Sequence, residues 1–198
     1  HRRSRHFVFW LNPMVLRPIA RRSRPKQMTN DYLETFMTAR IALNPSRHRE
    51  VLGAMINLGA TVRRSELEHP LIALIKVRVS QINGCGYCID MHTKDARAEG
   101  ETEQRLYMLN AWWETSLYSE RERAALKWAE AVTRLEHQEV PDEIYENLSR
   151  VFTEDEIVAL TLCVVEINAW NRFAISFKYE AGNYQPGSVR TLRETVAG

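Results

Sequence analysis

Cysteine, glycine and proline are scarce in this chain of 198 residues, with three Cys, eight Gly and seven Pro. Three cysteines exclude a scaffold held together by disulfides. So few turn formers argue against an all-β fold punctuated by tight turns. No uninterrupted apolar run approaches the ~18 residues of a membrane span, so no membrane partner is expected. Net charge is also small, at +2, but that balance hides an asymmetry. Residues 1–27 hold eight basic residues (Arg2, Arg3, Arg5, Arg17, Arg21, Arg22, Arg24, Lys26) and no Asp or Glu, a net +8. Residues 28–198 carry 19 basic and 25 acidic side chains, a net −6. An acidic body argues against nucleic-acid binding. What is present is hydrophobic content of 44% with five Trp, enough apolar surface for one globular domain with a sizeable core.

The composition changes at Met28. Residues 1–27, Arg-rich and without acids, have the composition of an organelle transit peptide. The simpler expectation is a poorly ordered basic leader on a cytoplasmic protein, with the folded domain spanning residues 28–198 and a loose tail after about residue 182.

The apolar pattern from residue 30 is helical. Tyr32, Phe36, Ala39 and Leu43 mark one face, and Asn44-Pro45-Ser46 breaks it. Val51, Met55, Leu58 and Val62 mark a second. Pro70 suits the first turn of a third helix, which runs through Leu74, Val77 and Ile82 to Asn83-Gly84. A fourth is expected from about Cys85 to Ala98, ended by Gly100, and a fifth carries Leu106, Leu109, Trp112 and Trp113. Ser119-Glu120-Arg121-Glu122 and Thr153-Glu154-Asp155-Glu156 fit capping boxes, which mark helix starts. The first precedes Ala125, Trp128, Val132 and Leu135. Pro141 begins a shorter helix through Ile144, Leu148 and Phe152. The second capping box opens a long apolar stretch over residues 157–177, broken by Glu166, Asn168, Asn171 and Arg172. Sustained strict alternation is missing, so the expected fold is all-α, with about seven to eight helices.

Chemistry concentrates in Asn83-Gly84-Cys85-Gly86-Tyr87-Cys88-Ile89-Asp90-Met91-His92. At ~100° per residue, Cys85, Cys88 and His92 share a ~60° arc of one helix. Cys88 and His92 stand four residues apart, a spacing at which helical side chains touch. A cysteine at a helix N-terminus and in a Cys-x-x-Cys pair has a stabilised thiolate. A nearby imidazole moves protons, and a second thiol traps an oxidised one as a disulfide. The pair is read here as a redox-active dithiol. Two other readings stand beside it. A zinc site needs about four ligands, for which His69 would have to join Cys85, Cys88 and His92. An inert pair of half-buried thiols is the third. Cys163, in Leu162-Cys163-Val164, reads as a buried structural thiol. Glu166, Asn168 and Asn171 read as interhelical hydrogen-bonding groups more readily than as pocket-lining ones. Trp112 and Trp113 read as core or subunit contacts.

The run Arg78-Val79-Ser80-Gln81-Ile82-Asn83-Gly84-Cys85-Gly86-Tyr87-Cys88-Ile89-Asp90-Met91-His92-Thr93-Lys94-Asp95-Ala96-Arg97 resembles the core of the carboxymuconolactone decarboxylase/alkylhydroperoxidase D-like superfamily. The likeness continues through Gly100-Glu101-Thr102-Glu103, the Ser119 capping box, Val140-Pro141-Asp142-Glu143 and Ile167-Asn168-Ala169-Trp170-Asn171-Arg172, covering roughly residues 30–180. It implies an all-helical domain assembled as a homo-oligomer, often a trimer or a multiple of one. It also implies an antioxidant peroxidase activity, with a hydroperoxide as substrate and an external dithiol as electron donor. No cofactor and no metal are implied. By this resemblance Cys88 is the peroxide-attacking thiol, Cys85 the resolving thiol and His92 part of a proton relay. The decarboxylase branch lacks the cysteine pair, so Cys85 and Cys88 point to the redox branch.

One position departs from the pattern. The family motif carries a relay Glu twelve residues before the first cysteine, and here that position is Ala73. Glu66 and Glu68 lie before Pro70 and are not placed by the sequence. The departure leaves a second reading open, a redox-sensing or binding oligomer that kept the dithiol without efficient turnover. A lactone decarboxylase is a third.

Overall fold

Helix starts and stops are set by local chemistry. Ser119 accepts a hydrogen bond from the Glu122 backbone N–H while the Glu122 carboxylate reaches back to the Ser119 N–H, and Thr153 and Glu156 repeat the arrangement. Both capping boxes therefore form as their sequences require. Pro70 sits in the first turn of its helix, where a missing N–H costs nothing. Gly84, with φ +69°, ends that helix in the left-handed conformation that a residue with a Cβ avoids.

The computed structural model of the chain describes residues 39–188. The basic leader, the composition break at Met28, Tyr32, Phe36 and residues 189–198 lie outside the described residues. Among those described there are seven α-helices and no strand: α1 (Arg49–Arg63), α2 (His69–Asn83), α3 (Gly86–Ala98), α4 (Glu103–Met108), α5 (Glu120–Arg134), α6 (Asp142–Ser149) and α7 (Glu154–Phe177). A 3-10 turn, Leu109–Glu114, extends α4. The all-helical expectation holds.

α2 is the central element. Leu71, Leu74, Ile75, Val77 and Val79 are all buried, because α3, α5 and α7 pack around it. Its polar side chains are buried with partners, as burial demands. Arg78 binds Glu130 of α5 at 2.8 Å, and the same Glu130 oxygen accepts from Trp112 Nε1 at 2.8 Å. Trp112 is thus a core residue, while Trp113 is half exposed.

Four expectations are corrected. Residues 39–43 are not helical; Arg40 N–H instead bonds the Phe177 carbonyl at the end of α7. The inner face of α1 is Leu52, Met55, Gly59 and Val62, with Val51 turned outward. Leu135 ends α5 in a left-handed conformation and is exposed, because the helix stops before it can turn inward. Of the tail expected to be loose, the described residues 183–188 are docked: Tyr184 is buried and its hydroxyl donates to Asp95 at 2.8 Å.

α7 also qualifies the reading of the apolar runs. By length and composition it is apolar enough to cross a membrane. Here it is a core helix, packed on α1, α2, α3, α5 and α6, with Glu166 and Asn171 on its buried side.

Candidate active site

Cys85 does not lie inside a helix. It is the N-cap of α3, with extended backbone (φ −83°, ψ 92°), and Gly86 is the first helical residue. The left-handed Gly84 turns the chain from α2 into this cap, and Cys85 N–H is tied back to the Ser80 carbonyl at 3.0 Å. Cys88 sits in the first turn of α3. The two sulfurs are 2.7 Å apart, in hydrogen-bond contact, and both residues are 1% exposed. No disulfide joins the pair in this structure.

This geometry separates the two thiols electrically. Contact with the Cys88 thiol holds the Cys85 thiol below its ordinary pKa against the cost of burial, and the Cys88 backbone N–H and the Asn171 amide add to the effect. Contact with Cys85 raises the Cys88 thiol far above its ordinary value, with burial and the neighbouring Cys85 charge adding to it. The first proton lost by the pair therefore leaves from Cys85, the residue at the helix N-terminus.

His92 stands one turn beyond Cys88 on α3. Its Nε2 is buried and has no hydrogen-bond partner. Burial, then the charge of Lys76, lowers its pKa to about 3, so the imidazole is neutral at physiological pH. Lys76 itself forms a buried ion pair with Glu166 of α7 at 2.8 Å. Gly59 of α1 makes room for that carboxylate, since a Cβ at residue 59 would lie 2.8 Å from Glu166 Oε1.

A chain of amides joins the end of α2 to α7 beneath the cysteines. Asn83 Nδ2 donates to Asn168 Oδ1 at 3.0 Å and to Asn171 Oδ1 at 2.8 Å. Asn171 Nδ2 donates to Ser80 Oγ at 3.1 Å. Asn168 and Asn171 thus make interhelical hydrogen bonds, as their apolar setting suggested. Sequence reasoning missed that the same network runs through Ser80, whose carbonyl accepts from the Cys85 N–H. Its signal was Ser80 and Asn83 inside the cysteine run and Asn171 inside an otherwise apolar helix.

Ala73 packs against the core from α2 and lines a shallow cavity of about 230 Å³ with Pro70, Ala96, Glu99, Glu101 and Arg105. Glu68 is at the N-cap of α2 and pairs with Arg121. His69 opens α2, while the cysteines follow its far end about 21 Å along the axis. The zinc reading therefore loses its fourth ligand. Among the described residues, no group of three His, Cys, Asp or Glu is arranged to hold a metal ion. Cys163 is fully buried, and burial pushes its thiol up to about 12, consistent with a structural role.

A strap from the end of α7 crosses the site. Tyr87 meets Tyr179 edge to face at 5.4 Å. Lys94 Nζ donates to the Gly182 and Tyr184 carbonyls, Gly182 N–H donates to Asp90, and Ala181 lies against Gly86.

Comparison with known proteins agrees with this geometry. The sequence pattern of the carboxymuconolactone decarboxylase family matches residues 49–131. The uncharacterized protein YdfG of Bacillus subtilis (strain 168) is 42% identical over 134 residues, covering 68% of this chain and 91% of its own. A crystal structure of an Agrobacterium tumefaciens protein of unknown function, suggested to be an antioxidant defence protein AhpD, superposes with a TM-score of 0.69 at 40% identity. That match covers 73% of this chain and 98% of the other. An uncharacterized peroxidase-related protein from Silicibacter sp. TM1040 superposes at 0.61 with 25% identity, covering 67% and 71%. The chain belongs to the carboxymuconolactone decarboxylase family and carries the Cys-x-x-Cys and helical fold of its AhpD-like members.

Proposed function

We propose that this chain reduces hydroperoxides with the Cys85–Cys88 dithiol and is returned to the reduced form by an external dithiol donor. The observation that carries the reading is the pair of sulfurs 2.7 Å apart at the N-terminus of α3. Cys85, ionised first, touches Cys88 and takes its proton in the same step as the Cys88 sulfur attacks the peroxide, since a free Cys88 thiolate is disfavoured beside it. An S–O bond forms, the O–O bond breaks, and the alkoxide leaves as the alcohol once protonated. Cys85 then attacks the sulfenic acid sulfur and water departs. Two thiols and one hydroperoxide thus become one disulfide, one alcohol and one water. The donor dithiol supplies two electrons and two protons to reopen the disulfide. Neutral His92 is suited to passing the departing proton, since its unpartnered nitrogen accepts one and does not hold it.

Close packing of Cys85 on Cys88 supports such a division of labour despite Ala73, because the base for Cys88 is the Cys85 thiolate. The test is sulfenic acid trapping after a single addition of hydroperoxide. Cys85→Ser is expected to accumulate sulfenic acid at residue 88, and Cys88→Ser to form none. Equally fast trapping in Cys88→Ser would overturn the assignment.

Burial of both sulfurs favours one second reading, a redox sensor that forms the disulfide slowly and does not turn over. It is the outcome if the disulfide forms reversibly while hydroperoxide loss with a dithiol donor stays at the rate of free thiol controls.

A further inference from the structure

The amide chain beneath the cysteines has a fixed direction. The Val164 carbonyl can only accept, and Asn168 Nδ2 donates to it at 2.9 Å and to Thr133 Oγ at 3.1 Å. Asn168 therefore presents Oδ1 to Asn83, where Arg172 also donates to it at 2.8 Å. Asn83 must then offer Nδ2, and Asn171 must answer with Oδ1. The other end gives the same result. Ser80 Oγ donates to the Lys76 carbonyl at 2.7 Å, so it accepts from Asn171 rather than donating to it. Both ends force the Asn171 amide into one orientation, with Oδ1 toward Asn83 and Nδ2 toward Ser80. One Nδ2 hydrogen serves Ser80. The other is left without a partner oxygen, and Ser80, whose carbonyl accepts from Cys85 N–H at 3.0 Å, holds the buried amide next to the equally buried cysteine. Asn171 is fully buried, so water does not compete for that hydrogen.

We infer that Asn171 donates this second N–H to the Cys85–Cys88 sulfurs, and that Asn83, Asn168 and Ser80 position it by fixing which end of its amide faces them. Asn171 favours the thiolate of either cysteine, in keeping with a donor that serves whichever sulfur carries the charge. As the proton passes between the sulfurs, the donor follows the charge without a change of rotamer. The inference rests on the dithiol reading of the site, but thiol ionisation can be measured without any peroxide, so its failure is separable from failure of the peroxidase proposal.

The experiment follows the ultraviolet thiolate absorbance of the reduced protein against pH. Asn171→Leu keeps the shape of the side chain and removes the donor. Its first thiol ionisation should move up by about one pH unit, a loss of about tenfold in thiolate at a given pH below it, as suits a hydrogen bond to a charged group. Asn83→Leu leaves the Asn171 amide held from the Ser80 end alone, and should shift the profile the same way by a smaller amount. A purely structural role would lower the melting temperature and leave both profiles unmoved, and that result overturns the inference. Should Asn171→Leu fail to fold, the parent decides: the Asn171 side-chain amide resonances should move as the thiol titrates, and static resonances overturn it.

Discussion

At the scale of residues, Ala73 separates what the fold supplies from what catalysis needs. Its methyl group packs on the core and faces a cavity large enough for a longer side chain. Ala96, in the same cavity, lies one turn beyond His92 on α3. A carboxylate at residue 73 therefore has room one helical turn from His92, the residue proposed to pass protons. Arg105, the cation nearest the cavity, is already engaged by Glu101 and Glu122. Ala73→Glu is expected to raise the rate of hydroperoxide consumption by about tenfold, the low side of what a general acid–base group contributes. An unchanged rate in a folded variant would show that proton transfer between Cys85 and Cys88 already suffices. The two cysteines and His92 were legible as candidate site residues from their spacing, and the Glu absent at residue 73 from the family resemblance alone. The order of thiol acidity was not. It depends on the contact between the two sulfurs, and on the Cys88 backbone N–H that Cys85 meets because it is a cap rather than a helical residue. Neither follows from local periodicity.

At the scale of elements, helix starts were the most legible feature, since the capping boxes at Ser119 and Thr153 are complete within four residues. Faces were less so. On α1 the choice between Val51 and Leu52 is decided by where α7 packs, and Gly59 is buried for the sake of Glu166 rather than for its own backbone. The segment after α7 was least legible. Its Gly and polar residues suggest a free tail, yet it is held by Tyr184, Lys94 and Asp90 across the outer side of α3. Because the strap packs Tyr179 on Tyr87 and brings Ala181 up to Gly86, the residues between and beside the two cysteines, releasing it should expose the dithiol. Tyr184→Ala removes the buried ring and its bond to Asp95. Alkylation of the cysteines by a neutral reagent should quicken severalfold while far-ultraviolet dichroism stays unchanged. An unaltered alkylation rate would mean that reagents reach the sulfurs by another route.

At the scale of the whole molecule, the ends of separate helices are joined by arginines on ion-pair networks, and these give the fold a sensitivity to acid. Arg121 of α5 binds Glu68 at the start of α2 at 2.8 Å and Glu156 in the first turn of α7. It also donates to the Val151 carbonyl and lies over the Phe152 ring at 3.8 Å. Hydrogen bonds from Arg121 hold the Glu68 and Glu156 carboxyls below their ordinary pKa. A carboxylate that is more acidic folded than unfolded stabilises the fold above its unfolded pKa, and that stability is lost as pH falls through the folded one. Glu68 is half exposed, so solvent screening keeps its share small. Arg121→Gln is therefore expected to cost about 1–2 kcal/mol at pH 7, most of it from the less exposed Glu156 contact and the lost carbonyl bond. The difference should narrow below about pH 4, where protonation of the two carboxyls removes the same interactions from the parent. Urea unfolding of both proteins at neutral and acid pH measures this directly. A stability gap that stays constant across that range would place the role of Arg121 in its packing on Phe152 and its bond to Val151, rather than in its charge.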